Sequence, residues 1–174
     1  MQRISTFVTL LVSLCCAGIL HAAPADASKD DLDAFLADKG FINRVGQKAS
    51  ELVVTAMGAL GLPYRAGGSS YESGFDCSGF VKAVYEQTMG LLLPRKAEQQ
   101  AATTLKIDLH ELKPGDLVFF NTMRKAFSHV GIYVGDNKFI HSPKPGAEVR
   151  IEDMRQTYWA RRFDGARRVD GAAD

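Results

Sequence analysis

The apolar positions change their spacing three times along the chain. Residues 7–20 (Phe-Val-Thr-Leu-Leu-Val-Ser-Leu-Cys-Cys-Ala-Gly-Ile-Leu) form a run without a single charge. Val45, Leu52, Val53, Ala56, Met57 and Leu60 then recur at helical spacing, which predicts an amphipathic helix over residues 43–60 with Gly61 as its C-cap and Pro63 just beyond. Phe80, Val81, Val84 and Tyr85 share one face of a second helix, running from an Asp76 N-cap to about Thr88 and stopped by Gly90. A third helix is predicted over residues 96–102, after Pro94. Beyond the turn Lys113-Pro114-Gly115-Asp116 the runs become short and β-like: 117–120, 129–134, 138–141 and 149–152. Helices first and a meander of strands after predict an α+β domain.

The opening run is shorter than the roughly 20 apolar residues that a spanning helix needs. Arg3 precedes it, and Ala22, Ala23, Ala25 and Ala27 follow it, the pattern of a secretory signal peptide. Residues 1–25 are therefore expected to be a signal peptide, 26–43 a flexible N-terminal segment containing one helical turn near 32–36, and 44–170 the functional domain. Cys15 and Cys16 raise a lipid anchor, but Ser13-Leu14 before them is a poor match to a lipobox, so an unlipidated, exported chain is favoured.

Composition narrows the function. Apolar residues make up 46% of the 174 and charged residues 24%, too apolar a balance for a disordered chain. Lys plus Arg (21) nearly match Asp plus Glu (20), so nucleic acid is not an expected partner. Without residues 1–25 the chain keeps one cysteine, Cys77, and three histidines, His110, His129 and His141. A lone thiol in an oxidising compartment forms no internal disulfide and is exposed to oxidation, so it is either buried and inert or kept for its reactivity.

Asp76, Ser78 and Gly79 make a poor setting for a core position, and a cysteine in the first helical turn meets unpaired N–H groups that favour its thiolate. Its own N–H can also hold an oxyanion. His129 heads one strand and His141 closes the next, whereas His110 lies in a polar connection. If Gly135-Asp136-Asn137 is a three-residue loop, Val134 pairs with Lys138 and the two histidines become diagonal neighbours on one face, with Gly131 leaving room between them. A two-residue loop would slip the register by one and turn His141 to the other face. The spacing permits a Cys–His–His triad; Cys77, His129 and His141 as three zinc ligands are the rival reading, disfavoured because no paired-ligand spacing accompanies them and the helix tip suits a nucleophile better than a ligand, so no metal is expected.

With these residues in place the chain resembles the NlpC/p60 family of papain-like cell-wall peptidases. The resemblance rests on Leu62-Pro63-Tyr64-Arg65-Ala66-Gly67-Gly68, Phe75-Asp76-Cys77-Ser78-Gly79-Phe80-Val81, Leu93-Pro94-Arg95 with Gln100, Pro114-Gly115-Asp116-Leu117-Val118-Phe119-Phe120, His129-Val130-Gly131-Ile132-Tyr133-Val134, Phe139-Ile140-His141, and Tyr158-Trp159 followed by Ala166-Arg167-Arg168-Val169. It is closest to the periplasmic murein endopeptidase subgroup, with Ala66 where Trp is frequent and Lys96-Ala97 where Ser or Thr is. It implies a papain-like fold of N-terminal helices on a small antiparallel sheet. It further implies a Cys77 nucleophile, a His129 general base and acid, and His141 as the residue orienting it. Tyr64 would aid the oxyanion, Asp76 and Ser78 would line the groove, and Arg95 and Gln100 would brace the fold. No cofactor is implied. The expected substrate is a peptidoglycan stem peptide or cross-link, cut through a thioester by a monomeric protein in the periplasm or cell envelope. The bond would be either D-Ala–diaminopimelate or γ-D-Glu–diaminopimelate. A non-catalytic wall-binding domain and an acyltransferase on the same fold are the alternatives.

Overall fold

The computed structural model describes residues 46–171. The expected signal peptide, the 26–43 segment with its helical turn, and the start of the first helix lie outside them. Helix α1 spans Gln47–Met57 and buries Leu52, Val53, Ala56 and Met57. It ends earlier than its periodicity suggests. Gly58 is the C-cap, and Ala59 and Leu60 donate to carbonyls three residues back, so the chain tightens rather than continuing as α-helix. Gly61, the expected cap, instead sits at φ +80° and donates to the Val149 carbonyl, joining the helix to the far side of the domain.

The segment after Pro63 is more ordered than its Gly and Ser content implies. Ser69–Ser70 (β1) and Gly74–Phe75 (β2) pair as a small antiparallel hairpin. Helix α2, Cys77–Met89, follows at once. The Asp76 carboxylate accepts from the Gly79 N–H at 2.8 Å, the N-cap geometry, and Gly90 ends the helix in the left-handed conformation. Phe80, Val81, Val84 and Tyr85 are fully buried. At roughly 1.5–3 kcal/mol for each large side chain, this face holds α2 against the sheet. The Tyr85 hydroxyl donates to the Gly115 carbonyl, so even its polar tip is satisfied inside the core. Helix α3 is Ala97–Ala102.

The sheet has six antiparallel strands: β3 (Leu105–Ile107), β4 (Leu117–Phe120), β5 (His129–Gly135), β6 (Lys138–His141), β7 (Arg150–Asp153) and β8 (Phe163–Arg168). Their order is β3-β8-β4-β5-β6-β7. The meander β4 to β7 was legible in sequence; β3, β8 and the short helix α4, Thr157–Ala160, were not. β8 returns past α4 to pair with β4, and Arg168 clamps buried Asp116 through two hydrogen bonds of 2.8 and 2.7 Å.

The sheet faces two cores. Leu117, Phe119, Val130, Ile132 and Ile140 pack with α1 and α2, while Val118, Phe120 and Phe139 pack with Met154 and Trp159 on the other face. The β5–β6 hairpin reaches the expected register by a different route. Its turn has two residues, Asp136 and Asn137, both at positive φ, with Gly135 opposite Lys138. A bulge between Tyr133 and Gly135 absorbs the one-residue slip and restores Ile132 opposite Ile140. His129 and His141 therefore share a face. The room expected beside Gly131 is filled: a Cβ there would stand 2.7 Å from Phe139 and 2.8 Å from the Ile140 carbonyl.

Candidate active site

The N-cap of α2 sets Cys77 at the helix tip, and alternation along β5 turns His129 away from the helical core. Both line one cavity of about 470 Å³, together with Tyr64, Glu152, Tyr158 and Trp159. Cys77 remains partly exposed. Burial, then the Asp76 charge, pushes the Cys77 thiol up, against the backbone N–H groups of Val130, Ser78 and Cys77, which pull it down. The helix tip thus does not produce the standing thiolate that its position predicts. Desolvation of an anion wins over the partial charge of the helix end.

His129 is 4% exposed and His141 is sealed. His129 Nε2 lies 2.7 Å from His141 Nδ1, and His141 Nε2 lies 2.7 Å from a Glu152 carboxylate oxygen. A carboxylate only accepts, so His141 carries its proton on Nε2 and offers Nδ1 as an acceptor. His129 must then donate from Nε2, which leaves its Nδ1 free to receive a proton. The chain of bonds selects the tautomer that a base requires. Trp159 stacks on the His129 ring, with centroids 5.6 Å apart, and meets the His141 ring edge-on at 5.0 Å.

Burial holds the His129 pKa well below the ordinary imidazole value, and the neighbouring His141 adds to this. Burial likewise lowers His141, against the opposing pull of Glu152. For Glu152, burial pushes upward, but the bond from His141 and the Arg150 guanidinium, 3.0 Å from its second oxygen, hold the carboxyl below the usual range. At rest the site therefore holds a neutral imidazole beside a thiol, with a carboxylate behind.

Glu152 was absent from the sequence reading. Within Arg150-Ile151-Glu152-Asp153 the acid is the buried residue and Ile151 is only partly covered, an inversion of the usual pattern. The pairing of Phe139 with Glu152 places that carboxylate diagonally behind His141.

Tyr64 joins the site: burial, then the charges of Cys77 and Asp76, push its phenol up, so it stays a donor. Asp76 and Ser78, expected along the groove, are held from the helix side. Arg95 grips Asp76 with two bonds of 2.9 and 2.5 Å, the N–H groups of Gly67 and Gly79 take its remaining acceptor positions, and Ser78 is buried beneath Arg95. Neither lines the cavity. Gln100, fully buried, donates to the Ser78 and Pro94 carbonyls at 3.0 and 2.9 Å and fixes the helix start from below. Arg95 and Gln100 brace the fold as expected. His110 lies in an exposed 3₁₀ turn, away from the site.

The sequence profile of the NlpC/P60 family matches residues 61–168. The chain is 45% identical over 127 residues to the murein DD-endopeptidase MepH of Escherichia coli strain K12, a match covering 71% of this chain and 47% of that protein. It is 44% identical over 112 residues to the gamma-DL-glutamyl hydrolase of Bacillus subtilis strain 168, covering 64% and 27%. The chain thus spans less than half the length of either relative. A crystal structure of an NlpC/P60 family protein from Bacillus cereus ATCC 10987 superposes with a TM-score of 0.64 at 37% identity, covering 69% of this chain and 39% of the other.

Proposed function

The chain belongs to the NlpC/P60 family, and on that premise we propose that it is an exported cysteine peptidase that hydrolyses peptide bonds in peptidoglycan stem peptides or cross-links. The observation that carries this reading is that Cys77, His129 and Glu152 line one cavity, with the sealed His141 hydrogen-bonded between His129 and Glu152. His129 Nδ1 takes the thiol proton as Sγ attacks the scissile carbonyl. The Cys77 N–H and the Tyr64 hydroxyl hold the oxyanion. The His129 imidazolium then gives its proton to the departing amine nitrogen, and the C–N bond breaks to leave a thioester. His129 next takes a proton from water, whose oxygen attacks the thioester; the thiol leaves with the proton returned.

Two features support an endo-acting enzyme of the envelope. Residues 1–25 have the layout of a secretion signal. Asp76, saturated by Arg95 and backbone donors, has no acceptor position left for the free amine of a peptide terminus. The test is digestion of purified sacculi by the wild type, Cys77→Ala and His129→Ala, with mass spectrometry of released muropeptides. Both variants are expected to fold and release none. Muropeptide release by a well-folded Cys77→Ala protein would overturn the assignment.

A further inference from the structure

Beside the catalytic cavity lies a second, open one of about 540 Å³, lined by Asn121, Thr122, Arg124, Arg161 and Arg162. Thr122 also lines the catalytic cavity, so the two adjoin. The walls of this extension are built. Asn121 N–H donates to the Arg162 carbonyl at 2.8 Å, tying the turn after β4 to the connection between α4 and β8. Arg162 is held over the Tyr158 ring, 3.9 Å from its centroid, and donates to the Tyr158 carbonyl at 3.0 Å. Among the described residues, none of the three arginines has a carboxylate within ion-pair distance.

Asn121 and Thr122 add neutral polar groups to the same wall. Lys144 and Arg150 line the catalytic part, and its one acid, Glu152, is already bonded to His141 and Arg150. Arg124, Lys144, Arg161 and Arg162 thus stand along the two adjoining cavities with no carboxylate within ion-pair distance among the described residues.

We propose that the arginine-lined extension is a substrate subsite that binds a free carboxylate of an acidic stem peptide. The inference rests on the peptidase reading above and deepens it by naming the charge that the groove selects. Guanidinium groups bind carboxylates through paired, charge-assisted hydrogen bonds, which an amidated carboxyl cannot form.

The test measures calorimetric binding of two stem peptides to the full chain carrying Cys77→Ser, which blocks turnover. The peptides are identical except that the side-chain and terminal carboxyls are free in one and amidated in the other. The acidic peptide is expected to bind at least ~10-fold more tightly, the discrimination available from a charge-assisted pair. In Arg124→Gln/Arg161→Gln/Arg162→Gln the ratio is expected to fall towards one. In the charge-matched control Lys48→Gln/Lys106→Gln/Lys113→Gln, on exposed sites elsewhere, it is expected to persist. Equal affinities in the parent protein, or a ratio unchanged in the arginine variant, would overturn the proposal. So would an unchanged ratio with lost affinity for a poly(glycerol phosphate) probe, which would give the pocket to a wall polymer. Turnover by the protein with Cys77 intact separates the two readings. Cleavage of both peptides with equal kcat/KM would refute the subsite and leave the peptidase. Discriminating binding without any cleavage would do the reverse.

Discussion

Replacing Glu152 by Gln removes a charge from behind the histidine pair and leaves the shape of the side chain. Glu152 is bonded to His141 at 2.7 Å, and His141 to His129 at 2.7 Å. One imidazole ring between two such bonds puts the carboxylate at most about 7.5 Å from His129 Nε2, worth roughly 2 kcal/mol to a positive His129 at an effective dielectric of about 20. Arg150, 3.0 Å from the other oxygen, offsets part of this and leaves about 1–2 kcal/mol. In the proposed reaction the imidazolium forms on the way to the thioester, so Glu152→Gln should lower kcat/KM by about 5–30-fold. The pH profile carries a second signature. A carboxylate favours protonated imidazole, so its loss lowers the His129 pKa further and moves the acid limb of kcat/KM to lower pH while the plateau falls. Glu152→Ala also leaves the His141 N–H unpaired in the interior, at a further cost of about 1–3 kcal/mol in stability. The assay is steady-state cleavage of a soluble cross-linked peptide from pH 4.5 to 8.5, with urea unfolding of both variants. A Glu152→Gln enzyme within twofold of the wild type, with its acid limb unmoved, would refute the electrostatic role.

Two further outcomes follow from the same geometry. His129 and His141 have folded pKa values below their unfolded ones, so their contribution to stability is complete above about pH 6.5 and is lost as pH falls from there towards the folded values, at up to ~1.4 kcal/mol per pH unit for each histidine. Urea midpoints at pH 7.5, 6.5 and 5.5 should fall in that order, less steeply in His129→Gln, and a flat series would contradict the neutral pair. Gly131→Ala sets a Cβ 2.8 Å from the Ile140 carbonyl, which is backbone and cannot swing aside, so the β5–β6 ladder must shift, at a cost of about 1–3 kcal/mol, and move His141 with it. Calorimetric melting and kcat should both drop; an unchanged melting midpoint would show that the sheet yields freely.

How much of this was readable in the chain depended on whether the signal was local. Asp76 as the N-cap, Gly90 as the stop and the buried face Phe80, Val81, Val84 and Tyr85 are decided within one helix, and the structure repeats them. β8 carries no such signal. Phe163-Asp164-Gly165-Ala166-Arg167-Arg168 has no alternation, only Ala166 is buried, and the segment is a strand because β3 and β4 offer ladders on both sides. The histidine register was reached through a three-residue loop, whereas the protein uses a two-residue turn and a bulge. The two routes give the same facing because each places one extra residue on the β5 side. Glu152 was hidden for the opposite reason to β8. Its neighbours Arg150 and Asp153 read as a solvated strand, and only the pairing of β6 with β7 turns the acid inward.

The chemistry follows from which force wins at each group. A helix tip and three N–H groups favour a thiolate, but the cover over Cys77 opposes one more strongly. The same burial keeps His129 neutral, and its contact with His141 adds to the effect. A neutral thiol in an oxidising compartment is slow to react, since the thiolate is the form that oxidises and forms mixed disulfides. In the proposed mechanism Sγ becomes a nucleophile at the moment His129 Nδ1 takes its proton, and Glu152, two hydrogen bonds away, would compensate the charge that this transfer creates. A carboxylate in direct contact with His129 would raise its pKa more than one set behind a second ring. Interposing His141 fixes the tautomer and passes on part of the charge stabilisation, and in the proposed mechanism it leaves His129 neutral until the thiol proton arrives.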